Sequence, residues 1–220
     1  SAFYDTLETR PPEEREAALL AALPGQIAHA QKHSPAFADI LAGVDAASIT
    51  SRAALAQLPV TRKYQLLERQ QAQRSTNPFG GFATHGFGPA MPRVFASPGP
   101  IYEPEGQRKD YWRMARAIYA AGFRSGELIH NCFSYHFVPA GAMMENGAHA
   151  IGCSVFPGGT GQTEQQVQAM AELQPAGYIG TPRLLKLNLE KAQALRTPLH
   201  SLRTAYPSAE ALAPSPQQCI

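Results

Sequence analysis

The sequence predicts an α/β fold: a mainly parallel β-sheet flanked by helices, preceded by an N-terminal layer of short helices. Three observations carry this. From Arg93 onward, short apolar runs alternate with helical stretches of ten or more residues, the pattern of βαβ units. The residues before about Arg74 have helical periodicity only, in short pieces. The length, 220 residues with 44% hydrophobic content, suffices for one α/β domain or a domain with a smaller appendage, and for a sizeable core.

The elements follow in order. "EEREAALLAAL" carries a leucine/alanine stripe behind the Pro11-Pro12 start, and "GQIAHAQKHSPAFADIL" continues as a second piece broken at Ser34-Pro35. "DAASITSRAALAQLPVTRKYQLLERQQ" gives two more short helices, with Ser51 and Thr61 as expected N-caps. "NPFGGFATHGFGPAMP" is rich in Gly, Pro and Phe and reads as a loop, either lining a pocket or serving as a linker pinned by buried phenylalanines. Then "RVFAS" reads as a strand, "GQRKDYWRMARAIYAAG" as a helix stopped by Gly122, and "ELIHNCFSY" as a strand. "AGAMMENGAHAIG" reads as a helix despite Gly147, "CSVFPGG" as a strand and loop, and "TEQQVQAMAEL" as a helix. "AGYIG" is a strand, "TPRLLKLNLEKAQAL" a helix with Pro182 in its first turn, and "SLRTAY" a last strand. The expected division is residues 1–92, helical layer and Gly/Phe-rich loop, and residues 93–220, α/β subdomain.

Composition excludes several classes. A formal charge of +2 with no long basic run gives no electrostatic case for nucleic acid or an anionic membrane. No apolar run approaches a membrane span, and the N-terminus is polar and acidic rather than signal-like. Cys132, Cys153 and Cys219 are widely spaced without a CxxC or Cys/His ligand pattern, so no metal site is expected; the odd count suits a reducing compartment, and the expected location is cytoplasmic.

Ligands of parallel sheets bind beyond the carboxyl ends of the strands. The expected loops there are Ser97–Pro104, Phe133–Gly141, Pro157–Gly161 and Thr181–Pro182. Pro157-Gly158-Gly159-Thr160-Gly161 opens a helix, with Thr163 and Gln166 spaced as a capping box. It is either an anion-holding helix start or a tight strand-to-helix turn, and it lacks the Lys-Ser/Thr of a Walker loop. Phe133-Ser134-Tyr135-His136-Phe137 could shape a flat acyl or aryl pocket, His136 being an acid/base, a hydrogen-bonding gate or a structural histidine. A G-x-S-x-G elbow is missing, which argues against a serine hydrolase. Glu145 and Glu164 are solitary acids. No catalytic residue is assigned.

Five segments, "HSPAFADIL", "LPVTRKYQL", "AAGFRSGELIHNCFSYHFVPAG", "GAHAIGCSVFPGGTGQTEQQVQAM" and "GYIGTPRLLKLNLEKA", occur in an order and spacing that resembles the phenylacetate–CoA ligase-like family of adenylate-forming enzymes. The resemblance implies a large-domain portion of an enzyme that joins a carboxylic acid to coenzyme A. ATP and Mg²⁺ would give an acyl adenylate, and CoA thiolate would then displace AMP. It implies a small-molecule acid, ATP and CoA as partners, and a possible homodimer. Phe133, Tyr135, His136 and Phe137 fall at the acyl pocket. Gly158, Gly159 and Thr160 match a loop at the nucleotide–acyl junction. Ser208, Ala209 and Glu210 match the segment along adenine and ribose, with Ala211 for the family's proline.

Residues Ser97 to Pro104 align with the family's phosphate loop, Ser-Ser-Gly-Thr-Thr-Gly-Lys-Pro. Ser97, Gly99 and Pro104 persist; Pro98, Pro100, Ile101, Tyr102 and Glu103 depart from it. Two N–H donors and two hydroxyls are lost, and a glutamate replaces the lysine. An acid about 5 Å from a phosphate costs on the order of several kcal/mol at an effective dielectric near 20. The family's magnesium-ligand glutamate, ribose-binding aspartate and C-terminal lysine domain are not recognisable, which predicts a truncated or partial chain with weak or no ligase activity. A non-catalytic binding or interaction module built on the same scaffold is the alternative, and an unrelated α/β protein the third.

Overall fold

The computed structural model describes residues 2–211. They form two compact units: Asp5–Gln107, and residues 108–211 together with residues 2–4.

The first unit is built from helices α1 (Pro12–His33), α2 (Pro35–Ile40), α3 (Arg52–Ala56) and α4 (Lys63–Ala72), followed by strands β1 (Arg93–Ser97) and β2 (Ile101–Glu105). The two pieces expected before Ser34 are one continuous helix: Pro12 starts α1, and the chain runs helically through Pro24 and Gly25. Its buried Ile27 packs with Leu41 and Ile49, and this tertiary contact overrides the local breakers. The break at Ser34-Pro35 is as expected. The Ser34 hydroxyl donates to the Gly81 carbonyl at 2.8 Å and accepts the Phe37 N–H at 3.3 Å, capping α2. Ser51 caps α3 as expected. Thr61 does not cap α4: the N-cap is Arg62, whose N–H donates to the Gln65 side chain.

"RVFAS" is a strand, but outside the parallel sheet. β1 pairs antiparallel with β2, Ser97 opposite Ile101, so only Pro98, Gly99 and Pro100 separate the strands. A parallel return needs a crossover of about a dozen residues or more. So short a turn permits only a hairpin, and Ser97–Pro104 is that hairpin rather than a loop at a parallel strand end.

The second unit holds α5 (Ala115–Ala120), β3 (Leu128–Asn131), α6 (Ala140–Ala150), β4 (Ser154–Phe156), α7 (Thr163–Leu173), β5 (Gly177–Gly180), α8 (Pro182–Ala194) and β6 (Thr204–Pro207). The sheet order is β4-β3-β5-β6, every pair parallel. The helix expected from Gly106 shrinks to α5. Asp110 and Arg113 take positive φ, and Asp110 Oδ1 accepts the N–H groups of Met114 (2.8 Å) and Ala115 (3.1 Å). A short acidic side chain thus takes the donors an earlier helical turn would have used.

Alternation along β3 organises this unit. Ile129 faces one layer with Ile118 of α5, Met144 and Ala148 of α6, Phe133 and Ile179. His130 and Cys132 face the other, toward Gln166 of α7 and Asn188 of α8. Tyr178 of β5 sits on this second side with Leu185. Gly147 lets α6 approach α5: a Cβ there would lie 2.7 Å from Met114 Cβ. The order in which strands are added reverses between β3 and β5, since β3 leads outward to β4 on one side and β5 outward to β6 on the other. That is the switch point where ligands of open parallel sheets bind.

Candidate functional site

The carboxyl edge of the second unit's sheet gathers the turns after β3, β4, β5 and β6. Asn131, the last residue of β3, is 1% exposed and ties two of them together. Its carbonyl accepts the Gly159 N–H at 3.0 Å, fixing the turn after β4. Its side-chain amide donates to the Tyr135 hydroxyl (2.8 Å) and the Gly141 carbonyl (2.9 Å), while Oδ1 accepts the Phe133 N–H at 3.1 Å. A buried amide so satisfied fixes the chain around it.

The glycine turn after β4 is held from beneath by Gln166. Its Nε2 donates to the carbonyls of Gly159 (2.9 Å) and Gly161 (3.0 Å), with a longer contact to Gly158 (3.4 Å). Those acceptors orient the carboxamide, leaving Oε1 to accept from His130 Nε2 at 2.5 Å and from the Cys132 thiol at 3.1 Å. His130 is therefore the Nε2-protonated tautomer, stacked on Phe156 with ring centroids 5.0 Å apart. Burial holds its pKa below the ordinary histidine value, against the opposing effect of the Gln166 bond. A Cβ at 158 would stand 2.6 Å from Gln166 Oε1 and 2.9 Å from His130 Nε2, so a larger residue there would push this hydrogen-bonded pair aside. The expected capping box does not form. Gln162, in a left-handed conformation, is the N-cap without a side-chain bond, and Gln166 turns inward to the glycine carbonyls instead.

The other expected residues are placed as follows. Phe133 is buried in the α5/α6 core layer. Tyr135 is half-buried, its hydroxyl accepting from Asn131 and donating to Glu145 at 2.9 Å. His136 is exposed, and Phe137 is 79% exposed with a φ of 60°. Thr160 is exposed above the glycine turn. After β6, the Ser208 N–H donates to the Gly180 carbonyl at 3.0 Å, and Ala209 takes a φ of 68°. The exposed Glu210 accepts the N–H of Arg183, in the first turn of α8, at 3.3 Å. Glu164 pairs with Lys191 at 2.9 Å. The structure thus links Phe133, Tyr135, Gly158 and Gly159 through Asn131 and Gln166, and links Ser208 and Glu210 to the neighbouring turn after β5. Ser97 and Gly99 belong to the first unit's hairpin, and Cys219 lies outside the described residues.

In that hairpin the Ser97 hydroxyl donates to Glu103 Oε1 at 2.6 Å. Gln70, 1% exposed, makes paired bonds to the Tyr102 backbone at 2.8 and 2.9 Å, and Arg74 stacks over the Tyr102 ring while donating to the Pro100 carbonyl at 3.1 Å. The serine is engaged by its own carboxylate, two turn residues lack N–H groups, and the arginine is held by a carbonyl. These residues do not fit a triphosphate. Nor do they fit a resident Mg²⁺. Among the described residues no three His, Cys, Asp or Glu side chains gather as a metal site, and Glu103, the carboxylate nearest the turn, is bonded to Ser97.

The sequence gives His130 and Asn131 no site role, and gives Gln166 only a capping one. The available signal was two polar residues inside the otherwise apolar strand "LIHNC", and a glutamine one helical turn past a run of glycines.

No family model matches the chain. It is 31% identical over 189 residues to a phenylacetate–coenzyme A ligase of Thermus thermophilus, covering 82% of this chain and 40% of the relative. It is 31% identical over 197 residues to one of Pseudomonas putida (86% and 43%) and 29% identical over 200 residues to one of Aromatoleum evansii (87% and 43%). The chain therefore spans about 40% of the length of the curated relatives it matches. A 2-hydroxyisobutyryl-CoA ligase solved with 2-HIB-AMP and CoA in the thioesterification state has a TM-score of 0.86 at 23% identity, covering 100% of this chain and 49% of that one. The same ligase in the postadenylation state with R3-HIB-AMP gives 0.83 at 23% identity, over 94% and 46%. These structures share the α/β fold. Among the described residues, no helix is long and apolar enough to cross a membrane.

Proposed function

From its standing as a phenylacetate–CoA ligase-like chain of the adenylate-forming superfamily, matching part of the length of its relatives, we propose that it binds an acyl adenylate at the carboxyl edge of its parallel sheet. The observation that carries this reading is the glycine turn after β4, pinned at the switch point by the Asn131 carbonyl and the Gln166 amide. Gly158, Gly159 and Thr160 line the junction between acyl group and nucleotide. Tyr135, His136 and Phe137 border the acyl side, with Phe133 as its buried support. Ser208, Ala209 and Glu210 run along the adenosine.

A free carboxylate is a poor acyl donor, and its mixed anhydride with AMP is a good one. A site that holds the anhydride in place and excludes water favours its transfer to the thiol of CoA. Adenylate formation from ATP is the weak step for this chain, because Pro98, Pro100 and the Ser97–Glu103 pair offer little to a triphosphate.

The same hairpin favours a second reading, a non-catalytic module that keeps the ligand edge and has given up the chemistry. Calorimetric titration with AMP, phenylacetate and a sulfamoyl analogue of phenylacetyl-adenylate tests both. Saturable heat with the analogue supports the shared premise, and CoA-dependent turnover separates the readings. Absence of binding by all three removes the proposal.

A further inference from the structure

A buried polar chain runs beneath the ligand edge, across both of its central turns. His130 and Cys132 of the β3 segment meet Gln166 Oε1; Gln166 Nε2 meets the carbonyls of Gly159 and Gly161; Asn188 of α8 reaches the Cys132 sulfur at 3.8 Å. Tyr178 packs beside Cys132 and its hydroxyl donates to the Thr181 carbonyl at 3.0 Å, where α8 begins. Gln166 is 5% exposed and lies on the α7 face turned to the sheet, so it touches no ligand directly.

We propose that Gln166 is the positioning residue of the glycine turn, its Oε1 seated on the His130 Nε2–H and the Cys132 thiol. This rests on the acyl-adenylate reading above. The physical reason lies in the peptide plane. In a trans peptide the C=O and the following N–H point in opposite directions. Drawing the Gly159 and Gly161 carbonyls inward to one amide turns the N–H groups of Thr160 and Gln162 outward. Glycine-rich backbone is otherwise free to invert these planes, since Gly159 and Gly161 both hold positive φ (65° and 83°). A single buried donor group therefore chooses which face of the turn meets the nucleotide. Asn131 fixes where the turn sits; Gln166 fixes which way its peptides face.

The experiment uses the 220-residue chain and the sulfamoyl analogue of phenylacetyl-adenylate, with affinity read by calorimetry and amide hydrogen exchange read across residues 158–162. Gln166→Met keeps length and removes both hydrogen-bonding ends. Gln166→Glu keeps shape, and its ionised form faces the carbonyls with no donor. Ile118→Val, in the opposite core layer, controls for lost stability. The expected result is an affinity loss of about ten-fold or more in both Gln166 variants, with faster exchange in the turn. Gln166→Glu recovers as pH falls and its acid regains a proton to donate, while Ile118→Val changes affinity less than about two-fold. If Gln166→Met is too unstable to purify, the pH recovery of Gln166→Glu decides. Wild-type binding with unchanged affinity in the variants overturns the role of Gln166 and leaves the acyl-adenylate reading standing. No binding by wild type overturns both.

Discussion

The Ser97 hydroxyl donates to the Glu103 carboxylate at 2.6 Å, across a hairpin whose turn is Pro98-Gly99-Pro100. The acid is thereby a structural part of the hairpin, and it keeps a negative charge where the phosphate-loop resemblance would put a cation. Glu103→Gln retains an acceptor for Ser97 and removes the charge. Relative to wild type, the urea unfolding free energy is expected to change by less than about 1 kcal/mol, because one hydrogen bond is kept in neutral form. Parallel urea titrations check this, and a loss above about 2 kcal/mol would show that the charge itself holds the hairpin.

Asn131 supports the turns after β3 and β4 with its side chain and carbonyl. Asn131→Leu leaves the Phe133 N–H and the Gly141 carbonyl without the partner they have now. Each such buried group costs about 1–3 kcal/mol, so urea unfolding is expected to show a loss of about 2–6 kcal/mol. A loss below about 1 kcal/mol would mean that water or rearranged backbone replaces the amide.

The sign of the pH dependence follows from His130. Its folded-state pKa is lowered from 6.5, mainly by burial, so the unfolded chain takes up its proton first as pH falls. The stability tied to the neutral ring is fully present above 6.5 and is lost progressively as pH drops from there toward the folded value. Urea midpoints measured downward from neutral pH should fall, and His130→Phe should flatten that slope. His33 is lowered too, chiefly by desolvation and then by His29; it is exposed, so His33→Gln is expected to alter the slope far less.

Much of this was legible in the sequence, for physical reasons. The helices α6, α7 and α8 and the strands β3 to β6 have periodic apolar patterns long enough to outweigh local noise, and Pro182 behind Thr181 marks the start of α8 through its fixed φ and missing N–H. β1 was legible as a strand but not as part of a hairpin, since apolar content does not say which partner a strand takes. The start of α5 was lost to one side chain, Asp110, whose bonds to Met114 and Ala115 a periodicity count does not see. At the site, the glycine turn and aromatic segment were visible as composition. Gln166 was not. As the fourth residue of a helix it reads equally as a cap, and only the fold shows it turned toward His130 and the glycine carbonyls.

The two described cysteines should be chemically quiet. Burial pushes the Cys132 thiol up to about 12, and burial followed by the nearby Glu127 charge pushes Cys153 up to about 11. In a Cys219→Ser background, a thiol-specific disulfide reagent near pH 8 should react with neither until the protein is unfolded, because the thiolate is the nucleophile. Rapid labelling of Cys132 in the native protein would show that the sheet's carboxyl edge opens, and rapid labelling of Cys153 that its amino edge does.

The most direct test of the central claim, an adenylate-holding edge without a triphosphate grip, is equilibrium binding of AMP and ATP to this chain side by side. Both nucleotides are expected to bind, with ATP no more than about three-fold tighter than AMP, a difference under 1 kcal/mol. ATP binding a hundred-fold tighter, or neither nucleotide binding, would contradict that claim.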